Sequence, residues 1–302
     1  MSSIEVDEVC ANCGKAANDD VKLKLCTACK LVKYCSVECQ KSHRPQHKKA
    51  CKKKARELRD DRLFTQPDES HFGECPICCL PHSVDETKSG LYSCCCKRVC
   101  NGCAYANQLR EMEQRLERKC PFCREPLPIT KEEALQNNMT RVKANDPVAF
   151  CQVGDKCILK GDFDGAVEYL TKGAQLGCVD AHFSLAGLYG EWEGVEKDPK
   201  KEIYHLEEAA IGGHPQARYN LGHHEGRNGR LERAVKHHII AAKLGLDRSL
   251  EKLKMLSQVG IVTKEDYEGA LRGHQTAVDS TKSQQREEAE KGYTGRILQA
   301  NS

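Results

Sequence analysis

Cysteine is the residue type in this chain with the clearest capacity for chemistry. The chain has 302 residues and 20 cysteines, and seventeen of the cysteines lie between Cys10 and Cys123. Two cysteines separated by two residues present both sulfurs to one ion with little backbone strain, and zinc takes four thiolate or imidazole donors in a tetrahedron. Disulfides are the alternative use of paired cysteines. The first part of the chain therefore has the residues for zinc sites or for disulfides.

The first cysteine group spans residues 10–51. Its candidate ligands are Cys10, Cys13, Cys26, Cys29, Cys35, Cys39, His47 and Cys51. Four correctly ordered pairs in so short a stretch form a specific pattern, and eight donors predict two structural zinc ions. The arrangement resembles the MYND zinc finger, through its two Cys-x2-Cys pairs, the stretch Tyr34-Cys35-x3-Cys39-Gln40 and the ending His47-Lys48-Lys49-x-Cys51.

The MYND resemblance implies that the ligands interleave. Cys10, Cys13, Cys35 and Cys39 then hold one ion, and Cys26, Cys29, His47 and Cys51 hold the other. His43 competes as an imidazole donor, but its spacing to Cys51 departs from the family, so we interpret it as a surface histidine. Arg44 stands where the family often has a tryptophan that covers the last helix, which bears on docking of proline-rich peptides.

A basic run follows the first group. It contains Lys48, Lys49, Lys52, Lys53, Lys54, Arg56 and Arg59. Such a run could attract nucleic acid or direct nuclear import. Glu57, Asp60 and Asp61 soon offset the charge, so we interpret the run as a solvated helix face that leads into a basic and polar linker over residues 52–72. Nucleic acid is not an expected partner.

The second cysteine group spans residues 73–127. Six of its candidate ligands are Cys75, Cys78, Cys100, Cys103, Cys120 and Cys123. Two more must come from the triplet Cys94, Cys95 and Cys96, and Cys79 is left over. The pattern resembles a RING finger, which implies a cross-braced pair of zincs: Cys75, Cys78, Cys100 and Cys103 on one ion, and Cys120, Cys123 and two cysteines of the triplet on the other.

The RING resemblance also bears on the triplet and on a docking surface. Lys97 stands where many RING fingers carry histidine, so we assign Cys94 and Cys95, while Cys96 is close enough to replace either. RING fingers that act as ubiquitin ligases bind a conjugating enzyme, and the matching positions here are Ile77, Pro121 and Arg124. The alternative is that Ile77 and Pro121 only pack against the metal-binding turns. No groove tryptophan is present, and Leu109, Met112 or Leu116 could substitute for it.

Helical repeats are predicted over residues 147–258, where small and apolar residues recur with a period of 32 to 36 positions. Gly177, Gly213 and Gly245 coincide in this register. The stretch from Ala181 through Ala209-Ala210-x2-Gly213 resembles a Sel-one-like repeat, a relative of the tetratricopeptide repeat, with two complete units and one half unit. Trp192 stands where that family prefers glycine. Such arrays bind peptides or proteins.

Two expectations concern the rest of this helical region. Its histidines could suggest a further metal site, but they lack a cysteine or carboxylate partner at ligand spacing, so we interpret them as helix-surface residues: His205, His214, His223, His224, His237 and His238. Residues 259–302 are predicted to form a capping helix, begun by the capping box at Thr263, and a polar tail. We expect the tail from Ser280 to be partly disordered or loosely helical.

The predicted fold class is therefore two small zinc-stabilised modules of the treble-clef-like or cross-brace type, followed by an all-α helical repeat solenoid. Four zinc ions are expected. No apolar segment suits a signal peptide or a membrane span, so we expect a cytoplasmic or nuclear protein with reduced thiols and no membrane partner. The net charge of +3 indicates no strong field toward nucleic acid.

Two functions remain open from the sequence. The first is an adaptor whose modules each dock other proteins or peptides. The second is a RING-type ubiquitin ligase whose repeats select the substrate. Lysine methyltransferase activity, found in some MYND proteins with a SET domain, is not supported because nothing in residues 124–302 resembles that domain. The order of modules resembles an architecture of diatom and algal proteins, a likeness that implies no particular activity.

Overall fold

The computed structural model describes residues 8–190 and 194–300, with side chains described up to residue 292. The chain divides into two compact units, Met1–Thr65 (unit 1) and Gln66–Ser302 (unit 2). Trp192, noted above for its departure from the repeat pattern, lies outside the described residues. Within the described ranges, no helix has both the length and the apolar character that crossing a bilayer requires.

Unit 1 consists of a short hairpin and one long helix. Strand β1 (Lys24–Leu25) pairs antiparallel with β2 (Lys33–Tyr34). Helix α1 (Val37–Leu63) follows, and its first turn is capped because the Ser36 hydroxyl accepts a hydrogen bond from the Cys39 backbone N–H. The helix continues beyond the cysteine group to Leu63, so the basic run lies on it. The buried cluster beneath these elements contains only Cys10, Cys26, Cys29 and Tyr34.

Unit 2 begins with a second small hairpin and helix, which we call the 73–127 module. Strand β3 (Ser89–Tyr92) pairs antiparallel with β4 (Lys97–Cys100), and α2 (Asn101–Glu113) follows directly. The cysteine triplet forms the turn between the strands, where the Cys96 N–H donates to the Tyr92 carbonyl at 2.8 Å. Only one aliphatic residue, Val99, joins the buried cysteines of this cluster.

The rest of unit 2 is helical. Helix α3 (Lys131–Lys143) leads into four helix pairs. The pairs are α4 (Pro147–Leu159) with α5 (Phe163–Gln175), α6 (Val179–Gly190) with α7 (Pro199–Ile211), α8 (Pro215–Arg227) with α9 (Leu231–Lys243), and α10 (Asp247–Gln258) with α11 (Lys264–Ser280). Each pair also packs on the next. The predicted fold class is confirmed, and the array has four helix pairs where the sequence showed two and a half repeat units.

The repeat spacing follows from small residues at helix ends and helix contacts. Gly177, Gly213 and Gly245 all have positive φ, of 93°, 86° and 97°, at the turn between consecutive pairs. Only glycine adopts this left-handed conformation without strain, so the turn recurs at the same position. Inside the array, Gly222 lies so close to the His238 ring that a Cβ atom would stand 2.7 Å from its Nε2.

The interpretation of the repeat histidines as surface residues is wrong for three of them. His214, His237 and His238 are buried, the latter two almost completely. Burial disfavours the charged imidazolium, which lowers the pKa of His214 and of His237 to about 3 and that of His238 to about 4. The reason is the close helix approach that glycine and alanine permit, because a residue that faces a neighbouring helix at that distance has no access to water.

The C-terminal segment also differs from expectation. Helix α12 (Gln284–Ala300) forms there and packs against α2 of the 73–127 module. Ala289 is fully buried in this contact, and Gly292 lies against the Tyr105 ring, where a Cβ atom would stand 2.3 Å from the hydroxyl oxygen. Small residues thus give a polar helix one close-packing face, a feature that hydrophobic patterning alone does not reveal.

We predict that unit 2 loses stability in mild acid. The three buried histidines stay neutral in the folded state down to about pH 4, whereas in the unfolded chain they protonate below about pH 6.5. Stability should therefore fall as the pH drops from 6.5 toward 4, by about 2 kcal/mol per histidine at pH 5. Thermal melts followed by circular dichroism at pH 7.5, 6 and 5 would measure this, and His237→Gln should give a shallower pH dependence. A melting temperature that is constant across this range would contradict the prediction.

Candidate metal centres

Unit 1 brings its eight predicted ligands into two groups. Ligand group 1 consists of Cys10, Cys13, Cys35 and Cys39, and ligand group 2 consists of Cys26, Cys29, His47 and Cys51. The first two ligands of each group lie in tight turns, closed by Gly14 N–H to Cys10 O at 2.8 Å and by Lys30 N–H to Cys26 O at 3.0 Å. Helix α1 supplies three of the later ligands, Cys39, His47 and Cys51, at spacings of eight and four residues, which places them on one side of the helix, and Cys35 lies just before the helix.

Unit 2 brings together the other eight. Ligand group 3 consists of Cys75, Cys78, Cys100 and Cys103, and ligand group 4 consists of Cys94, Cys95, Cys120 and Cys123. Two tight turns close with Cys79 N–H to Cys75 O at 2.9 Å and with Arg124 N–H to Cys120 O at 3.0 Å. The end of β4 and the start of α2 carry Cys100 and Cys103, so the strand–helix junction sets the geometry of group 3.

The donor atoms fit zinc rather than disulfides. In all four groups the ligand atoms lie within 4.8 Å of one another, and their sulfur–sulfur contacts include Cys94–Cys123 at 3.4 Å and Cys95–Cys120 at 3.9 Å. A tetrahedral zinc with Zn–S bonds of about 2.3 Å separates its sulfurs by about 3.8 Å. A disulfide requires about 2.05 Å, and all twenty cysteines are free thiols. Both the donor types and their spacing therefore suit one zinc ion per group.

The turns also favour the thiolate form that a metal needs. Burial opposes ionisation of Cys10, yet backbone N–H groups, including that of Cys13, bring the pKa of the Cys10 thiol down to about 6. The same balance lowers the pKa of Cys26 to about 6. In group 3, a hydrogen bond with Cys100 lowers the pKa of Cys75 to about 3. At least one thiolate in each of these three groups is therefore available near neutral pH, which favours metal capture.

The third cysteine of the triplet has different surroundings. Cys96 is buried, has a positive φ of 53°, and interacts with Arg141 rather than with Cys120 or Cys123. Burial raises the pKa of its thiol to about 11. Its thiol lies beside the ion pair of Arg141 with Asp146, outside the four donors that ligand group 4 brings together. His43 likewise lies outside the ligand groups, where its Nδ1 hydrogen bonds with the Tyr34 hydroxyl at 3.1 Å.

The structure also contains a histidine–carboxylate cluster that sequence reasoning missed. His71 Nε2 lies 2.8 Å from Asp180 Oδ1, and His214 Nε2 lies 3.8 Å from the same oxygen. The backbone N–H of His71 donates to the Gly213 carbonyl at 3.1 Å, so the loop before the 73–127 module is hydrogen-bonded to the turn between α7 and α8. Asp180, the carboxylate partner that is not close to His214 in sequence, lies one repeat unit earlier in the chain. The repeat period is therefore the sequence signal that could have predicted this contact.

This cluster is better suited to proton sharing than to metal binding. The rings of His71 and His214 are stacked, with centroids 4.2 Å apart and an interplanar angle of 13°. His214 Nδ1 accepts the Ala217 N–H, which leaves the proton of neutral His214 on Nε2. Burial opposes ionisation of Asp180, but the two histidines hold the pKa of its carboxyl below the usual value.

The residues predicted to meet a conjugating enzyme have mixed surroundings. Ile77 is 43% exposed, so it does not pack within its metal-binding turn, whereas Pro121 is buried. The exposed Arg124 side chain donates from Nη1 to Asn107 Oδ1 on α2 at 2.6 Å. The three proposed groove substitutes, Leu109, Met112 and Leu116, are all exposed. The 73–127 module thus presents several apolar side chains to solvent.

Comparisons with known proteins identify the first module by family. Residues 10–51 match the family model of the MYND finger, which covers ligand groups 1 and 2 and no other part of the chain. No curated protein matches the chain.

Two solved structures resemble part of the chain. One is a Sel1 repeat protein from Oxalobacter formigenes, with a TM-score of 0.43 and 22% identity over 60% of this chain and 72% of that one. The other is c5321, described as a protective antigen present in uropathogenic Escherichia coli strains displaying an SLR fold. Its TM-score is 0.42, with 22% identity over 49% of this chain and 34% of that one.

We predict that substitutions in the triplet separate the metal ligands from the third thiol. Cys94→Ser should lower bound zinc by about one equivalent, because it removes one of four donors from ligand group 4. Cys96→Ser is the matched control and should leave the zinc content unchanged. Metal analysis of the purified proteins gives the answer, and the reverse pattern would mean that Cys96, not Cys94, is the ligand.

Proposed function

We propose that this chain is a zinc-dependent adaptor that docks other proteins or peptides, with one zinc ion in each of the four ligand groups. The observation that carries this proposal is the donor geometry: four sets of four cysteine or histidine donors at tetrahedral spacing. Sites with four protein ligands are closed and structural, whereas catalytic zinc keeps an open position. The metal would therefore hold recognition surfaces in shape. Free thiols throughout are consistent with a cytosolic or nuclear protein.

Unit 1 is the part for which a partner chemistry can be proposed. Its match to the MYND finger family suggests binding of proline-rich segments. Val9, Leu25 and Val37 are exposed large apolar residues within this small unit, and an extended proline-rich peptide needs such apolar surface. Arg44 is exposed on α1 and occupies the position of the family's frequent tryptophan. A cation here supplies less surface for stacking against proline rings than an indole would.

We predict that Arg44→Trp strengthens binding of proline-rich peptides to the zinc-loaded chain several-fold, because the indole adds an apolar face at the docking surface. Fluorescence anisotropy with a panel of labelled proline-rich peptides would measure the affinities. Lys48→Trp, one turn further along the same exposed part of α1, is the control for a nonspecific aromatic effect. If neither the wild type nor Arg44→Trp binds any peptide, unit 1 does not dock this class of partner.

A ubiquitin ligase is the second candidate function. The exposed Ile77 and the exposed Arg124 favour it, because a conjugating enzyme would need both side chains to be accessible. The 73–127 module resembles a RING finger in its ligand order, and such ligases act by positioning the conjugating enzyme without a nucleophile of their own. The buried Pro121 argues for a structural role at that position. The repeats would select the substrate in this scheme.

We predict that, if the chain is a ligase, Ile77→Ala abolishes self-ubiquitination with the conjugating enzyme that supports it. The residue lies outside the ligand groups, so zinc content should be unchanged. Ile129→Ala is a matched control, because Ile129 is 92% exposed and lies beyond the last ligand. Ubiquitin chain formation would be followed on gels with a panel of conjugating enzymes. Absence of chains with every enzyme, while zinc remains bound, would leave the adaptor as the function.

A further inference from the structure

The C-terminal helix makes a close contact with the 73–127 module at ligand group 3. The backbone of Arg286 on α12 lies so near Gly102 on α2 that a Cβ atom at Gly102 would stand 3.0 Å from the Arg286 nitrogen. Gly102 separates Asn101 from the ligand Cys103, and Gln285 Oε1 lies 4.0 Å from Cys103 Sγ. The start of α12 therefore rests directly on the strand–helix junction that carries two ligands.

The Arg286 side chain reaches the other half of the same ligand group. Nη1 donates to the carbonyls of Pro81 and Thr281, both at 2.7 Å. Nη2 donates to the Leu80 carbonyl at 3.1 Å and to the ligand sulfur Cys78 Sγ at 3.5 Å. One guanidinium thus joins the start of α12 to the metal-binding turn formed by Cys75–Cys79, more than 200 residues earlier in the chain.

Hydrogen bonds from outer residues to metal-bound donors change how firmly a metal is held. A metal-bound thiolate that accepts a hydrogen bond from a cation has less negative charge available to a proton, so it is less readily protonated and displaced from the metal. The same guanidinium fixes the two carbonyls that follow the ligand turn, so the turn cannot open without breaking these bonds. Arg286 also interacts with the second ligand Cys100.

We infer that α12 is a lock on ligand group 3 and that Arg286 is its positioning residue, an inference that rests on the proposed zinc ligation. Docking of the helix tightens zinc binding to this group and so slows its release, and by thermodynamic reciprocity of the two binding free energies, zinc in the group stabilises the docked helix. The position of α12 therefore depends on whether ligand group 3 of the 73–127 module holds zinc. Loss of zinc from group 3 frees α12 while the helix pairs keep their own core.

The test is zinc release from the full chain into a chromophoric chelator. Arg286→Met keeps an unbranched side chain of similar length but removes the donors. It should accelerate release of one zinc equivalent about 10-fold. The remaining equivalents are the internal reference and should be released at the wild-type rate. Lys291→Met, an exposed residue on the same helix, is the matched control and should leave every rate unchanged. Identical release profiles for Arg286→Met and the wild type would overturn the lock.

A second measurement keeps the inference testable if Arg286→Met does not fold. Hydrogen exchange of the wild type, with and without chelator, should show faster exchange in residues 284–292 once group 3 is empty, while α6 to α9 stay protected. Unchanged protection of residues 284–292 would overturn the coupling. Failure of the zinc proposal itself is separately visible, because cadmium-113 NMR of the metal-substituted wild type would then lack signals for tetrathiolate sites.

Discussion

In the first 127 residues, ligand groups 1 to 4 take the place of a hydrophobic core. Each group has four donors, and all of the donors are cysteines except His47. The buried cluster of unit 1 holds three ligand cysteines and Tyr34, and that of the 73–127 module holds three ligand cysteines and Val99. Burying so little apolar surface yields only a few kcal/mol, whereas structural zinc contributes about 10–16 kcal/mol in small peptides. The two hairpins, of two and four residues per strand, depend on the same centres, because strands this short are not stable alone.

The helical repeats are stabilised by the packing of apolar side chains between helices. Fully buried alanines such as Ala181, Ala209 and Ala217 allow helix pairs to approach closely, and each pair covers the apolar face of the next. The first helices of these pairs also contact the 73–127 module: Glu86, Leu91 and Arg98 share a polar cavity with side chains of α4 and α6, including Asp155 and Asp180. In the part of unit 2 that the structure describes, the module and the helical repeats therefore form one compact unit.

Sequence reasoning succeeded where the determining interactions are local. The cysteine pairs a few residues apart and the glycine period of the repeats are local signals of this kind, whereas the grouping of the pairs into ligand groups 1 to 4 is implied by the MYND and RING resemblances and stays a prediction. It failed for contacts between segments far apart in the chain. The Asp180 cluster joins a loop to two repeats, and Arg286 meets a turn more than 200 residues away. Neither side chain has a local signature, and the burial of His237 depends on a neighbouring helix.

The long separation between Arg286 and its partners has a consequence for synthesis. Cys103, the last member of ligand group 3, leaves the ribosome 182 residues before Gln285. At translation rates of 5–20 residues per second, this interval is roughly 10–40 s. For most of that time the nascent 73–127 module is complete in sequence but lacks the helix that covers one side of it. A metal that binds during synthesis therefore enters while this side is open, and a chain that ends before residue 286 keeps the module permanently in that early state.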